Sequence, residues 1–285
     1  MSDFVYFGGG VVPRERATLS VDDRGFLFAD AVYEVIRVVD GRFVEAQRHL
    51  ARLARSLRET SLPALAFDPV EIATDLLRRN GLTQGQGTVY LQVSRGVAAR
   101  QHAFPPPDTP PTVLMTVSRF SPRPELWADG AAAISLPDLR WSRCDIKSVN
   151  LLANVMAAQR AWEAGAYEAI LLRDGVVTEA TRSNVAAVVD GVLRTHPTGP
   201  LILPGVTREL VLELARAATI PVREEPVRAE ELFAAEEVVI TGTTADVMPI
   251  VAIDGRPVGA GRPGPVSRRL GALLAERIGA PVLAS

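Results

Sequence analysis

The sequence predicts an α+β fold in two domains, and three observations carry that expectation. Short alternating apolar runs are joined by Asp-Gly turns at 40–41, 174–175 and 190–191; longer stretches repeat their apolar residues every three or four positions; and a polar segment with two prolines, Ser118–Pro124, follows a completed strand pair. Asp-Gly favours hairpins because its backbone must enter positive φ. Hairpins mixed with amphipathic helices describe α+β and not a doubly wound sheet. The boundaries expected are a small N-terminal α/β domain at 1–118, a linker at 119–125, and a larger domain at 126–285 that holds the chain's single lysine.

Taken in order, Phe4–Phe7 reads as a strand ended by Gly8-Gly9-Gly10, and Ala31–Val39 as a strand ended by Asp40-Gly41. Glu45–Thr60 reads as a helix, with Leu50, Leu53 and Leu57 on one face and arginines at 48, 52, 55 and 58. Most of those arginines form a solvated face; Arg52 is a candidate to point inward, although periodicity does not single it out. Asp68-Pro69 opens the next helix as cap and first residue, and Asn80-Gly81 closes it. Thr88–Ser94 and Thr112–Val117 are strands around a loop that contains Arg100 and His102. In the second half, Ala131–Leu136, Glu168–Leu172, Val176–Glu179, Asn184–Val189 and Glu237–Ile240 read as strands; Asn150–Ala164 and Arg208–Ala218 read as helices.

Composition excludes several classes. The chain has 285 residues, 47% of them hydrophobic, and a formal net charge of -2, so it carries no basic footprint for nucleic acid. No apolar run approaches the roughly 20 residues that span a bilayer, and the first residues lack a basic-then-apolar leader, so a cytoplasmic protein is expected. Cys144 is the only cysteine, which leaves no internal disulfide and reads as buried apolar filler. His49, His102 and His196 lack metal-ligand spacing, so no metal site is expected.

The chemistry centres on Trp141–Asn150. Lys147, the only lysine among 31 basic residues, lies between a strand and a run in which Leu151, Leu152, Val155 and Met156 recur at helical spacing. A lysine between buried elements loses water, which lowers its pKa toward a nucleophilic amine. A chain that uses arginine for its other cations and keeps one ammonium has a use for a group that can lose its proton and form a Schiff base. The plain alternative is a surface lysine in a loop. Three places could hold an anion: Arg100 with His102, two donors two residues apart; Leu203-Pro204-Gly205-Val206-Thr207 ahead of a helix; and Thr241-Gly242-Thr243-Thr244 after a strand. Each also has a plain reading, as solvated loop, helix cap or strand-ending turn.

The order and spacing of several segments resemble the fold-type IV pyridoxal phosphate enzymes, and most of all their D-amino-acid transaminases. These are Asp23-Arg24-Gly25-Phe26 with Val32-Tyr33-Glu34-Val35, Arg95-Gly96 followed by Arg100-x-His102, Arg143-Cys144-Asp145-Ile146-Lys147-Ser148, Thr178-Glu179 with Ser183-Asn184-Val185, and the two threonine turns. The resemblance covers nearly the whole chain. It implies a two-domain fold-type IV structure, pyridoxal 5'-phosphate as cofactor, a homodimer, and transamination between a D-amino acid such as D-alanine and a 2-oxo acid such as 2-oxoglutarate. It implies that Lys147 holds the cofactor as a Schiff base and moves the substrate proton, and that Glu179 pairs with the pyridine nitrogen. By the same likeness Arg52, Val206, Thr207 and Thr243 bind the phosphate, Leu203 lies against the ring, and Ser183 is a further cofactor contact. Tyr33, with Arg100 and His102 from the partner subunit, traps the substrate carboxylate. Holding the carboxylate there turns the α-hydrogen of the D-enantiomer toward the lysine.

Four positions depart from the pattern. Ala29 and Ala31 stand where glycines are common around Asp30, Arg182 replaces a serine, and Gly242 replaces another. Arg182 is expected to add a cation near the glutamate or the substrate mouth. The rival readings are an aminodeoxychorismate lyase or a branched-chain or (R)-amine transaminase of the same fold, neither of which needs the Arg-x-His pair. A noncatalytic phosphate- or vitamer-binding protein would not need Lys147.

Overall fold

Gly8 and Gly9 take φ of 62° and 87°, conformations open to glycine, and fold β1 (Phe4–Phe7) back on β2 (Gly10–Pro13) as an antiparallel hairpin. The computed structural model describes residues 3–280. These divide into two units, one running to Ser121 and including Ile146–Leu151, the other made of Pro122–Asp145 and the chain from Leu152 onward.

The first unit continues with α1 (Arg24–Phe28), β3 (Ala31–Val39), β4 (Arg42–Phe43), α2 (Ala46–Glu59), α3 (Pro69–Arg79), β5 (Gln86–Ser94) and β6 (Thr112–Arg119). Its strands form one antiparallel sheet in the order β2-β1-β6-β5-β3-β4. Asp40 and Gly41 enter the hairpin at φ 48° and 76°, as the Asp-Gly signal requires. α3 starts where Asp68 accepts a 2.8 Å bond from the Val70 N–H, with Pro69 in its first turn. The helices turn Leu53 and Leu57, and Ala73, Leu76 and Leu77, into one core with Val32, Ile36, Leu91 and Met115 of the sheet. At the end of α1, Ala29 lies in the left-handed region at φ 53°. That explains why glycine is common there, since a Cβ in this conformation costs roughly 1 kcal/mol.

The second unit contains α4 (Pro124–Asp129), β7 (Ala131–Pro137), α5 (Leu152–Glu163), β8 (Glu168–Arg173), β9 (Val176–Ala180), β10 (Asn184–Val189), β11 (Val192–Thr195), α6 (Val206–Ala217), β12 (Val222–Arg223), α7 (Ala229–Ala234), β13 (Glu237–Gly242), β14 (Asp246–Ile253), β15 (Arg256–Pro257) and α8 (Pro265–Ile278). The sheet order is β12-β11-β10-β13-β14-β7-β8-β9, with β15 paired to β14 and parallel pairs at β11/β12, β14/β7 and β7/β8. Alternation along β10 sends Val185 and Ala187 into a core with α7, and Ala186 and Val188 into a second core with α6 and α8. Both faces are covered, so the strands read as nearly continuous apolar runs.

Three expectations need correction. The Lys147 segment, Ile146–Leu151, belongs to the first unit although its neighbours in sequence belong to the second. Part of the expected 119–125 linker is already the start of α4. The apolar stripe after the lysine is not packed: α5 begins at Leu152, and Leu152, Val155, Met156 and Trp162 are 59–75% exposed. Helical periodicity reports an apolar face but not what covers it. Among the described residues no helix is long and apolar enough to cross a membrane.

Candidate active site

In the first unit the predicted residues gather around β3 and α2. Extended residues after Lys147 run beside β3: the Tyr33 N–H donates to the Lys147 carbonyl at 2.9 Å and Val149 N–H to Ala31 O at 3.1 Å, with a bridge between Val32 and Ser148. The Lys147 N–H reaches Ser56 Oγ on α2 at 3.3 Å. The lysine side chain is half-buried, with Nζ 4.3 Å from the centroid of the Tyr33 ring, whose negative face attracts an ammonium.

His49, Arg52 and Ser56 share the buried face of α2 at three- and four-residue spacing. Arg52 points inward as expected, but its Nε and Nη2 grip Glu34 at 2.8 and 2.9 Å, and His49 Nδ1 donates to the same carboxylate at 2.8 Å. Burial pushes Glu34 upward, but the charge and bonds of Arg52, the His49 bond and the Lys147 charge outweigh it and hold Glu34 down at about 2. Burial lowers the His49 pKa, against the pull of Glu34.

Arg100 and His102 are both exposed, and both lie against one ring: the Arg100 guanidinium is 5.2 Å, and the His102 ring 5.6 Å, from the centroid of Phe28. Phe28 is thus a neighbour common to both side chains.

In the second unit Glu179, Ser183, Leu203, Val206, Thr207 and Thr243 lie around the meeting of β9, β10 and β13 with the start of α6. Glu179 Oε2 accepts from Asn184 Nδ2 and from the Leu203 N–H, each at 3.0 Å, and Asn184 also donates to Leu203 O at 2.9 Å. Asn184 packs so close to Gly205 that a Cβ there would stand 2.0 Å from its Oδ1, so only glycine lets the chain pass into α6. α6 starts at Val206, two residues earlier than periodicity predicts, which puts Val206 and Thr207 in its first turn. Its cap residue, Gly205, supplies no side-chain bond to that turn. On the neighbouring strand Thr241 pairs with Asn184, and Gly242 comes close to Ser183: a Cβ would lie 3.3 Å from the serine Oγ.

Sequence reasoning missed the groups behind Glu179. Arg140 Nη1 donates to Glu179 Oε1, while its Nε and Nη2 hold Asp138 at 2.9 and 2.8 Å. Asp138 also accepts from Thr178 Oγ1 at 2.8 Å and pairs with Arg173 at 3.2 Å. Burial is the largest influence on Glu179 and raises it; Arg140 and the Leu203 N–H oppose the rise, Asp138 adds to it, and the result is about 7. Cys144 is the buried filler expected, its thiol raised to about 11 by burial. Arg182 does not reach Glu179: its guanidinium lies 5.1 Å from the Tyr167 ring centroid and 3.6 Å from Glu168. The only sequence signal for Arg140 and Asp138 is two charges one residue apart after a strand, a pattern shared by many solvated loops. Asn184 and Glu34 lie inside the motifs quoted above but were not singled out.

Comparison with known proteins defines the class. Residues 31–253 match the model of the Amino-transferase class IV family, and the chain belongs to that family. It is 42% identical to a D-alanine aminotransferase of Bacillus licheniformis over 96% of both chains. Its fold matches the branched-chain amino acid aminotransferase of Escherichia coli at a TM-score of 0.87 and 26% identity, covering 98% of this chain and 96% of that one. A hypothetical aminotransferase from Mycobacterium tuberculosis, in its PLP-bound form, matches at 0.82 and 26% identity, covering 96% and 98%. The protein is a pyridoxal phosphate-dependent aminotransferase of fold type IV.

The residues present suit that cofactor. A first helical turn without a side-chain cap, approached through a glycine that must be small, is the kind of cradle in which backbone N–H groups meet a phosphate. A fully buried carboxylate backed by an arginine suits a protonated ring nitrogen.

Proposed function

We propose that the protein transfers the amino group of a D-amino acid such as D-alanine to a 2-oxo acid such as 2-oxoglutarate, acting as a cytoplasmic homodimer. The observation that carries the substrate assignment is the full-length likeness to a D-alanine aminotransferase. The Arg100 and His102 pair gathered on Phe28 supports it.

When bound, pyridoxal phosphate supplies an aldehyde that takes up the amino group and a ring that accepts the electron pair left at the α-carbon. Lys147 would hold the cofactor through its amine and would move the substrate's α-proton as base and then acid. The Tyr33 ring restrains its ammonium. Glu179, buried and with a pKa raised to about 7 in the chain without cofactor, would pair with the ring nitrogen and keep its proton there. By the family likeness Arg52, Val206, Thr207 and Thr243 would bind the phosphate, Leu203 would lie against the ring and Ser183 would contact the cofactor. Tyr33, with Arg100 and His102 supplied by a second copy of the chain, holds the substrate carboxylate; a guanidinium matches that anion with two parallel bonds. The exposed state of both donors, and the exposed apolar stripe of α5, support a second copy.

The purified enzyme should convert D-alanine and 2-oxoglutarate to pyruvate and D-glutamate. Faster turnover of L-amino acids or 1-phenylethylamine, or pyruvate release from aminodeoxychorismate, would overturn the assignment.

A further inference from the structure

The segment that presents Arg100 and His102 hangs from a buried ion network that no proposed step uses. Arg24 is 3% exposed, and its Nη1 donates to Gln101 O at 2.6 Å while Nη2 lies 3.5 Å from His102 O. Its Nε is fixed by Asp30 Oδ2 at 2.9 Å. Asp30 is gripped from the other side by Arg95, through Nε at 2.8 Å and Nη2 at 3.0 Å. Arg95 extends to the carbonyls of Ser61 and Thr60 at 3.0 and 2.6 Å, tying the root of the loop to the end of α2. Along the backbone, Arg24 N–H donates to Gly96 O at 2.9 Å. Gly96 turns at φ +85°, where a Cβ would meet Pro110 O at 2.0 Å.

The network reaches the two donors twice. Arg24 holds the carbonyls of Gln101 and His102 in the presenting turn, and its guanidinium lies 4.8 Å from the same Phe28 ring that carries Arg100 and His102. Burying a guanidinium costs several kcal/mol unless it is paired and fully bonded. A surface loop needs no such device to exist. A loop that must offer two donors to one small carboxylate does, because an error near 1 Å in a positioning group weakens the contact by up to about a hundredfold.

Resting on the assignment of Arg100 and His102 to the substrate carboxylate, we infer that Arg24, locked by Asp30 and stacked on Phe28, is the positioning residue of that pair. Arg24 touches neither substrate nor cofactor in this role.

The test uses the cofactor-loaded enzyme with Arg24→Lys, Phe28→Leu and, in parallel, Arg100→Ala. Steady-state KM and kcat for D-alanine are measured with the inhibition constant of propionate, a carboxylate without an amine; cofactor absorbance and Tm serve as controls. Both positioning variants should raise KM and the propionate constant about tenfold, with kcat within about threefold and the cofactor spectrum unchanged. Phe28→Leu leaves the buried ions intact, so it decides the matter if Arg24→Lys does not fold. If Arg100→Ala raises both constants and the positioning variants leave them within about twofold, or lower only Tm, the inference is overturned while the assignment stands. If Arg100→Ala changes neither constant, the assignment falls and the inference with it.

Discussion

In each unit a buried glutamate meets a buried arginine, Glu34 with Arg52 and Glu179 with Arg140, and the two carboxylates are driven in opposite directions. Glu34 accepts two bonds from Arg52 and a third from His49, feels the charge of Lys147 as well, and lies at about 2. Glu179 shares Arg140 with Asp138, and Asp138 itself pushes Glu179 upward, so burial prevails and the group lies at about 7. Burial is the same in kind; what differs is the charge around each group, with Arg52 and Lys147 both bearing on Glu34 while Asp138 offsets Arg140 at Glu179. The first is a fixed ionic strut, whereas the second is a carboxyl able to exchange a proton near neutral pH, which is what a partner for a ring nitrogen needs.

Variants can break this comparison, the largest effect coming from the strut. Glu34→Gln removes the charge that Arg52 and His49 bond and should cost about 3–5 kcal/mol of unfolding free energy in the cofactor-free protein, by denaturant titration. Glu179→Gln leaves a neutral group of the same shape and should lower kcat about 100- to 1000-fold while barely moving the Tm of the cofactor-free protein near pH 4.5, where Glu179 is itself protonated in the fold. The two also differ in sign with pH. The raised pKa of Glu179 means that the folded cofactor-free protein binds the extra proton between about 4.5 and 7, so wild type loses stability relative to Glu179→Gln as pH rises through that window. The depressed pKa of Glu34 contributes stability that is fully present above 4.5 and lost as pH falls toward about 2. A smaller effect should follow Asp138→Asn, which leaves Arg140 to Glu179 alone; the Glu179 carboxyl band in infrared titration should move to lower pH. Ala29→Gly, away from both carboxylates, should stabilise by about 1 kcal/mol by relieving the left-handed Cβ.

Local chemistry made much of the fold legible. Asp40-Gly41 and the Asp68-Pro69 cap do what their backbone preferences dictate, and the stripes Leu53/Leu57 and Leu76/Leu77 face the core. Lys147 was legible through scarcity and the Glu179 motif through resemblance. What tertiary contact decides was not: α5 shows its apolar face outward, and the Lys147 segment leaves the unit of its sequence neighbours. Asp138 and Arg140 read as ordinary loop charges because their contacts to Thr178 and Glu179 join segments about 40 residues apart, and the Arg24 motif does not reveal the bond to Gln101 O, 77 residues on. The strands β2, β4, β11, β12, β14 and β15 and the helices α1, α4, α7 and α8 are not legible in the sequence, the strands other than β14 because two to four residues are too few to show a period.

The most direct test uses the fact that Lys147 is the only lysine. The purified cofactor-loaded protein is reduced with borohydride, digested with a protease that cuts at arginine, and the peptides are weighed. The account predicts one phosphopyridoxyl group per chain, on the peptide containing Lys147, and none after prior treatment with D-alanine. A label on the N-terminal amine, or none on Lys147, would contradict it.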